Sequence, residues 1–403
     1  MKPYRIVVVD DSAFMRKLFT DIIESDPSFN VIAVGKNGRD AVELHRKLKP
    51  DAITLDLEMP EMNGIEALRV IVAEAGCPVI MLSGISEEHT RETIAALSLG
   101  AFDFIRKPSG PGEEIRKTAD ELMLRLRAAV TIRRKPKAGP SAARAASRPS
   151  AKTKAAIPKR TERIPVKREI SPPPLSRASE QSVPGNSGQS PEQVRPAPPA
   201  PAKPAAAEAE RKFRHLVAIG TSTGGPRALQ RLLGELPGDL PAPILIVQHM
   251  PPKFTHSLAQ RLNSLSALTV KEAEDGETVL PGVAYIAPGG RHMELASSGR
   301  GFVIRLTDAP QRNGHRPSVD VLFESLVPFT ELCRHAVILT GMGSDGARGM
   351  RQLAESGAVT TIAEAEETCI VFGMPRSAIE EGGASLVLPL HDIPARLNEA
   401  IRR

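Results

Sequence analysis

The chain predicts two doubly wound α/β domains of mostly parallel sheet, joined by a disordered Pro/Ala-rich linker. Short apolar runs alternate with helix-period segments at both ends of the 403 residues, chemically useful side chains follow the carboxyl ends of those runs, and residues 135–210 shift to Pro, Ala, Ser, Lys and Arg. The expected units are 1–134, the linker 135–210, and 211–403.

In the first unit the runs are 6–9, 52–55, 79–82 and 102–105. Asp10 and Asp11 follow the first, Asp56 the second, Ser83 the third and Lys107 the fourth. Ligands of open α/β sheets bind at the strands' carboxyl ends. Asp10, Asp11 and Asp56 offer the oxygen ligands that a hard cation such as Mg²⁺ takes. Asp56 is then a nucleophile toward a phosphoryl group, Lys107 a cation for its oxygens and Ser83 a hydroxyl that senses them. One acid at a strand end is more often a helix cap or a solvated group; these five residues together describe a phosphorylation switch. With Val-Val-Asp10-Asp11-Ser, Leu-Asp56-Leu-Glu-Met-Pro60 and Ile-Arg-Lys107-Pro108 in place, the unit resembles the receiver domain of two-component response regulators, with Asp56 at the phospho-accepting position.

The linker holds 14 Lys or Arg against 6 Asp or Glu, a net of +8 in a chain of net +6, which leaves the flanking units together at −2. The basic character therefore belongs to a tether, whose roughly 76 residues span about 50 Å as a flexible coil, and not to a DNA-binding domain. With no Trp and two Tyr, there is little on which to stack nucleic-acid bases. Cys77, Cys333 and Cys369 are widely spaced and form no zinc or C-x-x-C pattern, as expected for buried thiols in a reducing cytoplasm. The short N-terminal apolar run ends in two aspartates, unlike a signal peptide, and no stretch approaches the length of a membrane span.

The second unit offers strands at 215–219, 244–247, 283–286, 336–339 and 359–362, helices near 226–236, 255–263, 319–326, 346–355 and 393–401, and an added hairpin over 299–306. The run Ile219-Gly220-Thr221-Ser222-Thr223-Gly224-Gly225-Pro226 satisfies G-x-S-x-G, which exposes a serine at a strand-to-helix turn; capping by Ser222, or a phosphate-binding glycine turn, reads the same residues. His249 follows the next strand as a candidate general base, although a lone histidine is more often structural. Asp345, in Thr340-Gly341-Met342-Gly343-Ser344-Asp345-Gly346, either orients that histidine or caps a helix, and the backbone amide of Met342 or a neighbour is a candidate oxyanion donor. Together they form a Ser222, His249, Asp345 triad. Its chain order differs from that of α/β-hydrolases, so the motif does not license that fold.

With Gly-Thr-Ser222-Thr-Gly-Gly, Gln-His249-Met-Pro-Pro, His315-Arg316-Pro317-Ser318-Val319-Asp320 and Thr-Gly-Met342-Gly-Ser-Asp345-Gly-Ala, the unit resembles the catalytic domain of chemotaxis protein-glutamate methylesterases. Receiver and effector occur in the same order in that family. The resemblance implies a cytoplasmic hydrolase that demethylates glutamate methyl esters on chemoreceptors and deamidates receptor glutamines. It also implies phosphorylation by a chemotaxis histidine kinase with Mg²⁺, and no cofactor for the esterase. The tether is longer than the family leads one to expect, and Gly84-Ile85-Ser86 follows Ser83. The resemblance gives Arg316, Pro317, Ser318 and Asp320 no role beyond a structural one.

Overall fold

The computed structural model describes residues 2–134 and 213–403, apart from 75, 85, 109, 111 and 300. The predicted linker and Ile85 lie outside the described residues.

The first unit builds β1(Tyr4–Val9), α1(Ala13–Glu24), β2(Phe29–Gly35), α2(Gly38–Leu48), β3(Ala52–Asp56), α3(Gly64–Ala73), β4(Val79–Ser83), α4(Glu87–Leu99), β5(Asp103–Arg106) and α5(Glu113–Arg134). Side chains in loops start the helices: Ser12, Asn37, Asn63 and Ser86 each accept a hydrogen bond from a first-turn amide, and Asn63 with Glu66 forms a reciprocal capping box. All pairings are parallel, in the order β2-β1-β3-β4-β5. The order reverses at β1, so the ends of β1 and β3 open side by side where a doubly wound sheet binds its ligand.

The second unit builds β6(His215–Thr221), α6(Gly225–Glu235), β7(Ile244–Gln248), α7(Phe254–Asn263), β8(Thr269–Glu272), β9(Val283–Ile286), β10(His292–Ser298), β11(Gly301–Thr307), α8(Val319–Leu326), β12(Cys333–Ile338), α9(Ala347–Glu355), β13(Thr360–Glu364), α10(Met374–Glu380), β14(Leu386–Leu388) and α11(Ile393–Arg402). Seven strands pair in parallel in the order β14-β13-β12-β6-β7-β9-β8, while β10 and β11 form a separate antiparallel hairpin. Central strands are apolar on both faces because helices cover both: Val217, Ile219, Ile244 and Val337 pack toward α6 and α11, and Leu216, Ala218, Leu245 and Ala336 toward α8 and α9. The order again reverses at β6, which brings the loops after β6, β7 and β12 to one edge. Sequence reading missed β2, β8, β10, β14 and the seven-residue α10. Three of those strands are sheet edges, short or half-exposed, with neither full burial nor clean alternation to betray them.

One buried polar pair in this sheet ties stability to pH. His335 is wholly buried, its Nε2 is 3.0 Å from His215 Nδ1, and its own Nδ1 has no partner among the described residues. Burial, reinforced by the neighbouring His215 and Arg396 charges, pushes its pKa down to about 4 from 6.5. The unfolded chain therefore takes up this proton first, and stability present above pH 6.5 is lost as pH falls through 4, by on the order of 3 kcal/mol. Urea unfolding of the full chain should show that loss, and His335→Leu should flatten it; an unchanged slope in the variant would assign the loss to other groups.

The two units pack against each other. Phe104 of β5 stacks on Phe254 of α7, ring centroids 4.6 Å apart, and the Thr90 and Ser257 hydroxyls meet at 2.8 Å between α4 and α7. Asp103 Oδ2 accepts from Thr223 Oγ1 at 2.7 Å and pairs with Arg125 of α5 at 3.2 Å.

Candidate active site

In the first unit Lys107 Nζ lies 2.8 Å from Asp10 Oδ2 and 2.7 Å from Asp56 Oδ2. Ligand oxygens of Asp10, Asp11 and Asp56 lie within 4.8 Å of one another, a spacing that fits a divalent cation held by carboxylates. Burial pushes the Asp56 carboxyl up to about 6, the nearby Asp10 and Asp11 charges adding to it and Lys107 opposing it. Burial also pulls Lys107 down, but the Asp56 and Asp10 carboxylates outweigh it and leave the ammonium held more firmly than usual. Ser83 is buried at the neighbouring strand end, and its hydroxyl is engaged by Gly84 O at 3.1 Å and Thr93 Oγ1 at 2.6 Å.

In the second unit Ser222 sits just past β6, His249 just past β7, and Met342 and Asp345 in the loop after β12. The position opening α6 is Gly224, at φ 81°, with no side-chain cap, so the Ser222 hydroxyl does not cap that helix. Gly225 N–H donates to Ser222 O at 2.8 Å, which removes one amide from any phosphate-binding role for the turn. Gln248, buried at the end of β7, donates from Nε2 to Ser222 O at 3.0 Å and to His249 O at 3.2 Å, fixing the two loops together. Gly341 is obligatory for closeness: a Cβ there would lie 2.9 Å from Ser222 Cβ and 2.3 Å from Met374 Sδ.

Asp345 does not cap α9 either, since Gly346 opens that helix without a side-chain bond. Its Oδ2 accepts from His249 Nε2 at 2.8 Å and Val319 N at 2.7 Å, and its Oδ1 from Ser318 Oγ at 2.8 Å, Asn313 Nδ2 at 3.0 Å and Asp320 N at 3.3 Å. Burial would raise its pKa, but the bonds from His249, Val319 and Asn313 outweigh it and hold the carboxyl well below the usual range. With Nε2–H donated to the carboxylate, His249 presents Nδ1 as its basic nitrogen, and that atom is buried without a partner among the described residues. Ser222 Oγ likewise has no hydrogen bond there. Ser222 Oγ and His249 Nδ1 are thus not hydrogen-bonded to each other.

The motif without an assigned role, His315 to Asp320, holds the aspartate. Asp320 in turn accepts from Asn313 Nδ2 at 2.8 Å and Gly349 N at 2.7 Å. His315 lies face to face with His249, centroids 3.8 Å apart and planes 8° from parallel. A further buried acid, Glu364, accepts from Thr340 N at 2.8 Å, and Thr340 O accepts from Ser222 N at 3.1 Å and Thr221 Oγ1 at 2.9 Å.

Fold and site together define a response regulator whose output module is a hydrolase-type α/β sheet with serine, histidine and aspartate converging at one edge. The family profile described as CheB methylesterase matches residues 217–397, and that of the response regulator receiver domain residues 6–119. A protein-glutamate methylesterase/protein-glutamine glutaminase from Geobacillus kaustophilus is 43% identical over 403 residues, covering 100% of this chain and 99% of the relative. One of the same name from Bacillus subtilis is 40% identical over 99% of each. The solved Thermotoga maritima CheB methylesterase catalytic domain is 50% identical and covers 46% of this chain and 97% of that one, with a TM-score of 0.44. This chain belongs to the protein-glutamate methylesterase/protein-glutamine glutaminase family. No helix among the described residues is long and apolar enough to cross a membrane.

Proposed function

We propose that this protein hydrolyses γ-glutamyl methyl esters on methyl-accepting chemoreceptors, releasing methanol, and deamidates receptor glutamines. It is activated when a chemotaxis histidine kinase supplies the phosphoryl group that Asp56 takes up. The observation that carries the reading is the His249–Asp345 pair, pinned at Nε2 and leaving a buried, unpartnered Nδ1, on a loop that Gln248 ties to the Ser222 turn. Ser222 Oγ attacks the ester carbonyl, and His249 Nδ1 takes its proton and returns it to methoxide, which leaves as methanol. Water, deprotonated by the same nitrogen, then attacks the acyl carbon; the bond to Ser222 Oγ breaks, His249 returns the proton to that oxygen, and the glutamate side-chain acid is released and ionises. With glutamine the steps are the same and ammonia leaves. Among the described residues the amides of Met342 and Thr223 donate to no protein acceptor, which suits them to the oxyanion.

Asp10, Asp11 and Asp56 would hold Mg²⁺, which when bound supplies positive charge to the phosphoryl oxygens. In the unphosphorylated state the receiver covers the Ser222 face: Asp103 takes the hydroxyl of the residue next to the nucleophile, and the charge of Arg125 reaches His315. The function is tested by methanol release from membranes bearing radiolabelled methylated chemoreceptors, with and without a small phosphodonor and Mg²⁺, with Ser222→Ala as control. Release that needs Ser222 and rises with phosphodonor supports both parts; none under any condition rejects the substrate.

The docking has its own test. Thr90 and Ser257 are 1% and 7% exposed, so Ser257→Arg forces a long charged side chain into a dry contact. The unstimulated rate should rise about 5–10-fold, the size of a modest coupling energy. An unchanged rate in a folded variant would mean that docking does not hold the esterase down.

A further inference from the structure

Residues 312–315 form a two-residue hairpin: Arg312 and His315 exchange both backbone hydrogen bonds at 3.0 and 2.9 Å, and Asn313 and Gly314 take φ of 54° and 78°. Asn-Gly suits this turn because both central positions need positive φ. From one side of the hairpin Asn313 binds the Asp345 and Asp320 carboxylates at 3.0 and 2.8 Å. From the other, the His315 ring covers the His249 ring at 3.8 Å. We propose that His315 is a positioning residue for the hydrolysis, an aromatic plate that holds the His249 ring in the plane where Nε2 meets Asp345 and Nδ1 is left open for the serine proton. The inference rests on the triad reading above.

Hydrogen bonding to Asp345 fixes one nitrogen of His249 but leaves the ring free to tilt about that bond. A parallel ring at van der Waals distance removes that freedom, and near-attack geometry depends on such restraint. The titratable and charged groups around the plate are His249, Asp345 and Arg125. Burial, with the His249 charge adding to it, pushes His315 down to about 4, with Asp345 opposing and Arg125 of the receiver assisting. At neutral pH the plate is therefore uncharged, and it offers a π face, not a repelling cation, to the His249 imidazolium that forms in the reaction.

The test uses the full chain with phosphodonor and Mg²⁺ on methylated receptor membranes. His315→Ala should lower kcat about 10–100-fold with KM within about 3-fold, since only orientation is lost. His315→Phe, which keeps a plate and removes both nitrogens, should recover most of the rate. A fully active Ala variant, or a Phe variant as slow as Ala, overturns the proposal, the second outcome because the ring nitrogens would then be needed. Histidine ring relaxation spectra give a readout without substrate: wild type and His315→Phe should show a rigid His249 imidazole that keeps its Nε2–H tautomer, and His315→Ala the same tautomer on a ring with added motion. An equally rigid His249 ring in His315→Ala also counts against it. If wild type released no methanol, the substrate reading would fail while the spectra still tested the plate.

Discussion

Ser222→Ala in the full chain is expected to lower methyl-ester hydrolysis about 10⁵–10⁶-fold, the scale seen when a triad nucleophile is removed. The fold should not register the change. Ser222 Oγ makes no hydrogen bond among the described residues, and the turn is held by main-chain and Gln248 contacts that alanine keeps: Ser222 N to Thr340 O, Gly225 N to Ser222 O and Gln248 Nε2 to Ser222 O. Thermal unfolding should therefore match wild type within about 0.5 kcal/mol. A variant retaining more than a small fraction of the activity would remove Ser222 from the reaction, whereas a loss accompanied by a large drop in Tm would leave structure as the explanation.

Asp345→Asn should lower kcat by about 10⁴ for a different reason. The carboxylate is an acceptor at both oxygens, and every neighbour that reaches it is a donor. An asparagine must place its NH₂ against two or three of those donors. The least costly choice faces His249, which escapes by moving its proton from Nε2 to Nδ1. That tautomer has no lone pair for the serine proton. Val319 N–H has no such escape and loses its acceptor, so stability should fall by about 1–3 kcal/mol as well. Kinetics together with ¹⁵N histidine spectra check both: a slow variant with His249 still protonated at Nε2 would contradict this account.

The acids of the receiver, and Ser222 and His249, could be placed from the sequence because each stands at or just past the end of an apolar strand, while Asp345 lies seven residues past β12 in a glycine-rich loop; a parallel sheet sends all these carboxyl ends to the same edge. Ser318, Asn313 and His315 were not, since their roles exist only once the loop after β11 folds over the end of β12, a contact between residues about 30 apart. Asn313-Gly314 did carry a hairpin signal. Glu364 was findable by the rule that found Asp56, an acid at the end of a buried strand, yet it has no glycine turn beside it to mark chemistry. Edge strands escaped because half-exposed residues show neither pattern that periodicity detects.

Asp103 opens β5 and Lys107 follows its last residue, so one four-residue strand carries the acceptor of the Thr223 hydroxyl at one end and the ammonium that pairs with Asp56 at the other. Signal receipt and output meet on a single rigid element. The two modules are consequently not interchangeable parts: a receiver borrowed from another regulator would supply the acids and the lysine, but only one with an acceptor at the Asp103 position would bond the Thr223 hydroxyl in the loop that carries Ser222.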